Sequence, residues 1–254
     1  MLPWKRTRPV SRLEGFSDAV FGFSATLLVV SLEVPQTFPE LVADLRGFGA
    51  FGVSFLALVL IWSVHNAFFR RYGLDDGLTV VLNTALLFVV LFYVYPLKFM
   101  AEMQAALVMG TGGAQFGLQS EGDLQLLFVL YSVGFVAIFA CVMLLYGHAY
   151  RRRDALGLSV YERHEAAMLA RHYGLFVLVG LLSIALAVLG WGLTIGAPGF
   201  IYALLGPLCG VHGWWSGERA PERDLVPDED LALGAAAKND QGLEGEHEES
   251  SLVA

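Results

Sequence analysis

The sequence predicts an all-α, polytopic membrane protein with six transmembrane helices, on three observations. Of its 254 residues, 56% are hydrophobic and 16% charged, against about 25% charged in an average soluble domain, and the mean hydropathy is +0.59. Six apolar stretches stand out, residues 15–32, 47–69, 78–100, 124–147, 173–195 and 197–215, and a helix needs about 20 apolar residues to cross the hydrocarbon core. Basic residues collect in alternate connections between them. The length suits one membrane domain and leaves no room for a second large one.

The first stretch follows Lys5, Arg6, Arg8 and Arg12, a flank shared with secretory signals. Glu14 and Asp18 at its start, and no small-residue cleavage pattern from Ser31 to Pro35, predict a retained helix instead. At about 100° per residue, Phe16, Val20, Phe23, Leu27, Val30 and Val34 form a narrow apolar stripe flanked by Thr26 and Glu33, with Glu14 and Asp18 on roughly the opposite side. Lipid contact and pore lining both explain such a stripe. The second stretch bears Trp62, His65 and Asn66 near its end, and the third bears Asn83 near its start. The fourth and fifth contain several glycines, and the sixth contains Gly199, Gly206, Pro207, Gly210 and His212, which membrane helices tolerate.

Orientation follows from Lys and Arg, which short cytoplasmic loops retain. They cluster before stretch one, after stretch two (Arg70, Arg71) and between stretches four and five (Arg151, Arg152, Arg153, Arg163, Arg171). With an even number of spans, both termini are expected in the cytoplasm of a multi-pass cell-membrane protein. Arg151 to Arg153 read first as topology determinants and second as a contact for anionic lipid. His148, His164, His172 and His212 fall near cytoplasmic helix ends and read first as interfacial residues.

The expected domains are a basic N-terminus (1–11), a membrane domain (12–216) and an acidic tail (217–254). The tail carries 11 of the 24 acidic residues and 3 of the 16 Lys and Arg, so it accounts for the whole net charge of −8. Poor in aromatics, it cannot bury enough surface to fold alone. A body of balanced charge excludes a nucleic-acid footprint. Cys141 and Cys209 lie inside apolar stretches and suggest neither disulfide nor zinc. No His-Glu-x-x-His or Gly-x-Ser-x-Gly motif points to an enzyme. No metal site, cofactor or small-molecule substrate is expected.

Intramembrane polar groups are costly and mark function or packing. Here they are Arg12, Glu14, Ser17, Asp18, Thr26 and Glu33 on the first helix, Trp62, His65 and Asn66 on the second, and Asn83 on the third. Topology puts the start of helix one, the end of helix two and the start of helix three at one depth. Asp18 and Ser17 are therefore expected to pair with Trp62, His65 or Asn83, which satisfies groups that are expensive to bury unpaired. A proton or metal site at Asp18 and His65 is the alternative.

The string from Arg12 through Phe16-Ser17-Asp18 and Ala25-Thr26-Leu27-Leu28 to Glu33 and Pro35 resembles the first-helix signature of prokaryotic homologues of transmembrane protein 175, a potassium channel family. Ser54 to Phe69 is similar to the family's Trp/His-bearing second helix, and Asn83 to Pro96 resembles its third. The resemblance implies a homotetramer whose first helices line a central pore. It implies a hydrophobic constriction at Phe23, Leu27 and Val30, potassium preference at Thr26, and a packing network of Arg12, Ser17, Asp18, Trp62, His65 and Asn83. Glu33 falls at the outer pore mouth. No Thr-Val-Gly-Tyr-Gly filter is present, so carbonyl rings are not expected to replace potassium's hydration shell. The implied ligand is the permeant potassium ion, and the implied partners are sibling subunits and membrane lipids. The alternative function is a secondary transporter using Asp18 and His65 as coupling groups, although no inverted repeat is visible.

Overall fold

The computed structural model describes residues 10–30, 36–108, 116–118, 120–219 and 221. Glu33, Val34, most of the basic N-terminus and nearly all of the acidic tail lie outside them. Every regular element among the described residues is helical: α1 (Arg12–Val30), α2 (Phe38–Tyr72), α3 (Gly77–Val108), α4 (Glu121–Arg151), α5 (Val160–Val188), α6 (Ala197–Phe200) and α7 (Leu205–Glu218), with short 3₁₀ segments at Leu193–Ile195 and Ile201–Leu204. Five are long and apolar enough to cross a membrane, namely α1, residues 48–72 of α2, residues 77–106 of α3, α4 and α5. The chain is thus a multi-pass membrane protein. The sixth apolar stretch is helical in three consecutive pieces, of which α7 is the longest.

Local chemistry sets where the helices start. Ser11 accepts from the Glu14 amide at 3.1 Å while Glu14 accepts from the Ser11 amide at 3.3 Å. The same reciprocal box joins Ser120 to Asp123 and Ser159 to Glu162. Each satisfies amides that the first turn leaves without helical partners. The Ser159 box corrects the expected fifth helix, residues 173–195. It begins 13 residues earlier, at Val160, and ends at Val188, where Gly190, Gly192 and Gly196 follow with φ of 72°, 66° and 70°, a conformation that ends helices and that glycine adopts without penalty. Arg163, Arg171 and His164 therefore lie on α5 and not in a connection. Hydropathy had marked only the apolar part of a longer helix.

α3 is the hub. It packs against α1, α2 and α4, and α4 packs most extensively on α5. Leu86 and Val90 of α3 are buried with Phe68, Phe69 and Tyr72 of α2 and Ile138 and Leu145 of α4. Lipid tails are as apolar as these side chains, so close packing and interhelical hydrogen bonds must supply the association energy. Gly134 lets α4 approach α3, because a Cβ there would run into the Tyr93 ring. On the far side, Tyr202 donates to Ser132 (2.9 Å), Ser132 to Ser183 (2.8 Å), and Ser183 to the Pro198 carbonyl (2.7 Å). One run of hydroxyls thereby ties α4 and α5 to the segment following α5.

Candidate functional site: the two faces of the first helix

α1 turns Ser17, Phe21, Ser24 and Leu28 into the helix bundle, all four buried. At about 100° per residue they span only about 60° of arc. Three of the expected polar residues hold this face in place. Ser17 Oγ donates to the Leu13 carbonyl at 2.8 Å, which leaves its lone pairs for the Asn83 Nδ2 donor at 2.9 Å. Asn83 then has its carbonyl oxygen toward His65 Nε2 at 2.7 Å, so His65 is the donor and carries its proton on Nε2. Ser17 and Asn83 are fully buried and His65 is 2% exposed. The imidazole is also packed between Phe21 and Phe69, at ring separations of 5.4 and 4.6 Å.

A second tie lies at the edge of the same face. Trp62 Nε1 donates to Asp18 Oδ1 at 2.8 Å. Trp62 and His65, three residues apart on α2, share one side of that helix. Asp18 and His65 are each engaged with a different residue. Glu14 is spent on the Ser11 cap. Arg12 is exposed in the first turn, and among the described residues no hydrogen bond or ion pair links it to the other five members of the expected network. No cluster of His, Cys, Asp or Glu among the described residues has the makings of a metal site.

The opposite face of α1 is bare. Phe16, Phe23 and Val30 are 60%, 57% and 72% exposed, and Gly15, Ala19, Gly22 and Thr26 are exposed with them. Thr26 lies almost diametrically across from the Ser17–Leu28 face, so it is central to the bare surface and does not merely flank it. Val20 and Leu27 are half-buried and form one shoulder. Thr26 Oγ1 donates to the Gly22 carbonyl at 3.0 Å. With its proton turned inward, the hydroxyl oxygen has lone pairs left for a cation or water. From the N-terminal to the C-terminal end of α1, the face carries Gly15, Phe16, Ala19 and Gly22 and then Phe23, Thr26 and Val30.

Several polar ties escaped the sequence reading. Asp76, in the connection between α2 and α3, accepts from the Thr79 amide (3.0 Å) and hydroxyl (2.6 Å) and pairs with His148 Nε2 at 2.7 Å. Burial pushes its carboxyl up, but the two Thr79 hydrogen bonds and His148 outweigh that and hold it at about 2. Arg71, ending α2, forms a salt bridge to Glu165 of α5. His164 approaches the Ser216 carbonyl at 3.2 Å, and the His172 and His212 rings lie 5.5 Å apart. The Asp-x-x-Thr spacing was the one available signal, since it reads as a helix cap; the partners across the bundle had none.

Comparison with known proteins finds relatives among potassium channels. The family model described as endosomal/lysosomal potassium channel TMEM175 matches residues 12–93, the segment holding α1 and both of its ties. A potassium channel of Marivirga tractuosa is 39% identical over 217 residues, which cover 82% of this chain and 88% of that protein. One from Chamaesiphon minutus is 25% identical over 193 residues, covering 73% and 87%. Among solved structures, a variant of the potassium channel MtTMEM175 in complex with a nanobody fusion is similar with a TM-score of 0.74 and 37% identity, over 84% of this chain and 96% of that one. A structure from Chamaesiphon minutus, described as a homologue of the lysosomal potassium-selective channel TMEM175, shares the fold with a TM-score of 0.52 at 22% identity, over 81% and 96%.

Proposed function

The chain belongs to the TMEM175 potassium-channel family, and from that premise we propose that it conducts potassium ions passively through a pore enclosed by α1 helices of four identical subunits. The rotation of α1 carries this reading. Polar ties fix one face against α2 and α3, while Phe16, Phe23, Thr26 and Val30 stay uncovered. One helix cannot enclose a channel, so the uncovered face calls for symmetry mates. In this arrangement residues 197–215 are the sixth span and residues 12–216 are the channel domain. Both termini, including the tail from residue 217, lie in the cytoplasm of a cell-membrane protein.

Ions enter past Gly15, Ala19 and Gly22, whose small side chains leave width beside Phe16. They then meet the constriction of Phe23, Leu27 and Val30. Four copies of an apolar ring shed water from a narrow channel, which closes it without full steric contact. Thr26 lies within this zone, and four hydroxyl oxygens replace part of an ion's hydration there. A single hydroxyl layer gives modest preference for potassium over sodium. Glu33 at the outer mouth raises local cation concentration. Ser17, Asp18, Trp62, His65 and Asn83 act at a distance from the ion by keeping α1 from rolling, and Arg12 stands at the pore entrance. The permeant ion is the only ligand this mechanism needs.

The deciding experiment is flux from liposomes containing the purified protein under a potassium gradient. Robust flux altered by Leu27→Ala and Thr26→Ala supports the pore. Absent flux, or flux indifferent to both substitutions, removes it.

A further inference from the structure

We propose that the groove between α3, α4 and α5 at the basic end of the bundle is a binding site for an anionic phospholipid. The groove measures about 720 Å³. Leu82, Met143, Leu144 and Leu178 supply its apolar lining, and Arg151 and Arg171 stand at its polar end. The groove runs between three helices long and apolar enough to cross a membrane, and its apolar walls call for an acyl chain, since an empty groove forfeits the dispersion contacts of its walls. The two arginines decide which headgroup accompanies that chain.

Neither Arg151 nor Arg171 forms an ion pair among the described residues. Arg171 Nε donates to the Ala167 carbonyl of its own helix at 3.2 Å, which orients the guanidinium without neutralising it. His148 also lines the groove, but its Nε2 is engaged with Asp76. The Asp76 carboxylate in turn is occupied by His148 and Thr79, and no acid among the described residues forms a salt bridge with either arginine. Two cations above an apolar channel complement a phosphodiester with its acyl chain running inward. Guanidinium groups bind phosphate in bidentate fashion, and basic pockets between membrane helices are suited to anionic headgroups.

The test is native mass spectrometry of the delipidated full chain in mild detergent, titrated with palmitoyl-oleoyl phosphatidylglycerol or phosphatidylcholine. Saturable phosphatidylglycerol binding, about tenfold tighter than phosphatidylcholine, is expected. The double variant Arg151→Gln/Arg171→Gln should erase the preference, and Arg151→Lys/Arg171→Lys should keep most of it. Leu144→Trp, which fills the channel while sparing both charges, should weaken both lipids. Equal affinity of the two lipids for the wild-type chain overturns the proposal, as does a preference that survives the double Gln variant. Displacement by millimolar inorganic phosphate also overturns it, because the site would then be one for a free anion. The wild-type comparison and Leu144→Trp decide the matter even if the double variant does not fold. The readout is binding, so it is independent of whether the chain conducts potassium.

Discussion

The α1–α3 half and the α4–α7 half of the molecule are held together by different means. In the first, α1 is tied through Ser17, Asn83 and His65, and through Asp18 and Trp62, by donors and acceptors that fit in only one rotation. In the second, α4 and α5 share the Ser132–Ser183 hydroxyl pair, whose O–H groups turn freely, and interlock mainly through Phe135, Phe139, Tyr173 and Phe176, whose rings pack 4.5 to 6.1 Å apart. Aromatic packing tolerates small adjustments of rotation and height. A hydrogen-bonded Asn does not, because a turn of the helix leaves buried groups unpaired. Fixed rotation is what the proposed pore requires of α1, and in that proposal the other half needs only to be a firm scaffold.

The largest expected effect comes from the outward face itself. Val30→Asn wets the proposed constriction and should raise potassium flux about tenfold, the equivalent of lowering the barrier by about 1.4 kcal/mol. Phe139→Leu in the scaffold should leave flux within twofold. Stopped-flow or electrode-based flux measurements separate the two; equal effects would mean that the halves do not differ as described.

Next is Thr26→Val, which keeps the shape and removes the hydroxyl oxygen. The permeability ratio of potassium to sodium should fall several-fold toward unity under bi-ionic conditions, with total conductance less affected. An unchanged ratio would take selectivity away from this position.

Asn83→Leu removes both of its interhelical hydrogen bonds. Bonds of this kind are worth about 0.6 kcal/mol on average and up to about 1.7, so a loss of about 1 to 3 kcal/mol is expected in a detergent unfolding assay, together with degraded ion preference. Tyr202→Phe deletes only the terminal donor of the scaffold's hydroxyl run and should cost less than about 1 kcal/mol with selectivity intact. That split between stability and selectivity would distinguish a tie that sets rotation from one that only adds cohesion.

The smallest effect is a pH dependence at the joint between the halves. The Asp76 carboxyl is held at about 2, below its ordinary value of 3.8, so its contribution is complete above about pH 4 and is lost as pH falls toward 2. Asp76→Asn should therefore lower the melting temperature at neutral pH, and the gap to wild type should narrow between pH 4 and pH 2. A gap constant over that range would show that the charge on Asp76 contributes nothing.

Much of the design was legible in the linear chain because membranes enforce simple rules. Hydropathy located the five long helices, and the Ser-x-x-Glu box at Ser11 and its equivalent at Ser159 could have placed their starts. Because hydropathy sees only the part that needs lipid, it missed the polar first four turns of α5. Polar residues at one depth also narrowed the partners of Ser17 and Asp18 to a few side chains. Which pair forms was not legible: Trp62 reaches Asp18 and His65 reaches Asn83 because of how α2 is rotated, and nothing local to α2 encodes that rotation.

The amino-acid order alone determined an all-helical membrane chain, a first helix with one apolar stripe, and an acidic tail distinct from a charge-balanced body. These follow from composition and from periodicity along a single helix, which act locally. The tertiary structure alone decided that Thr26 is central to the uncovered face, that Leu27 is on its shoulder, and that Asp76 and His148, or Arg71 and Glu165, meet across the bundle. Such facts depend on the relative rotation and height of helices far apart in sequence. Packing of side chains such as Leu86, Tyr93 and Ile138, and the close approach at Gly134, set those quantities.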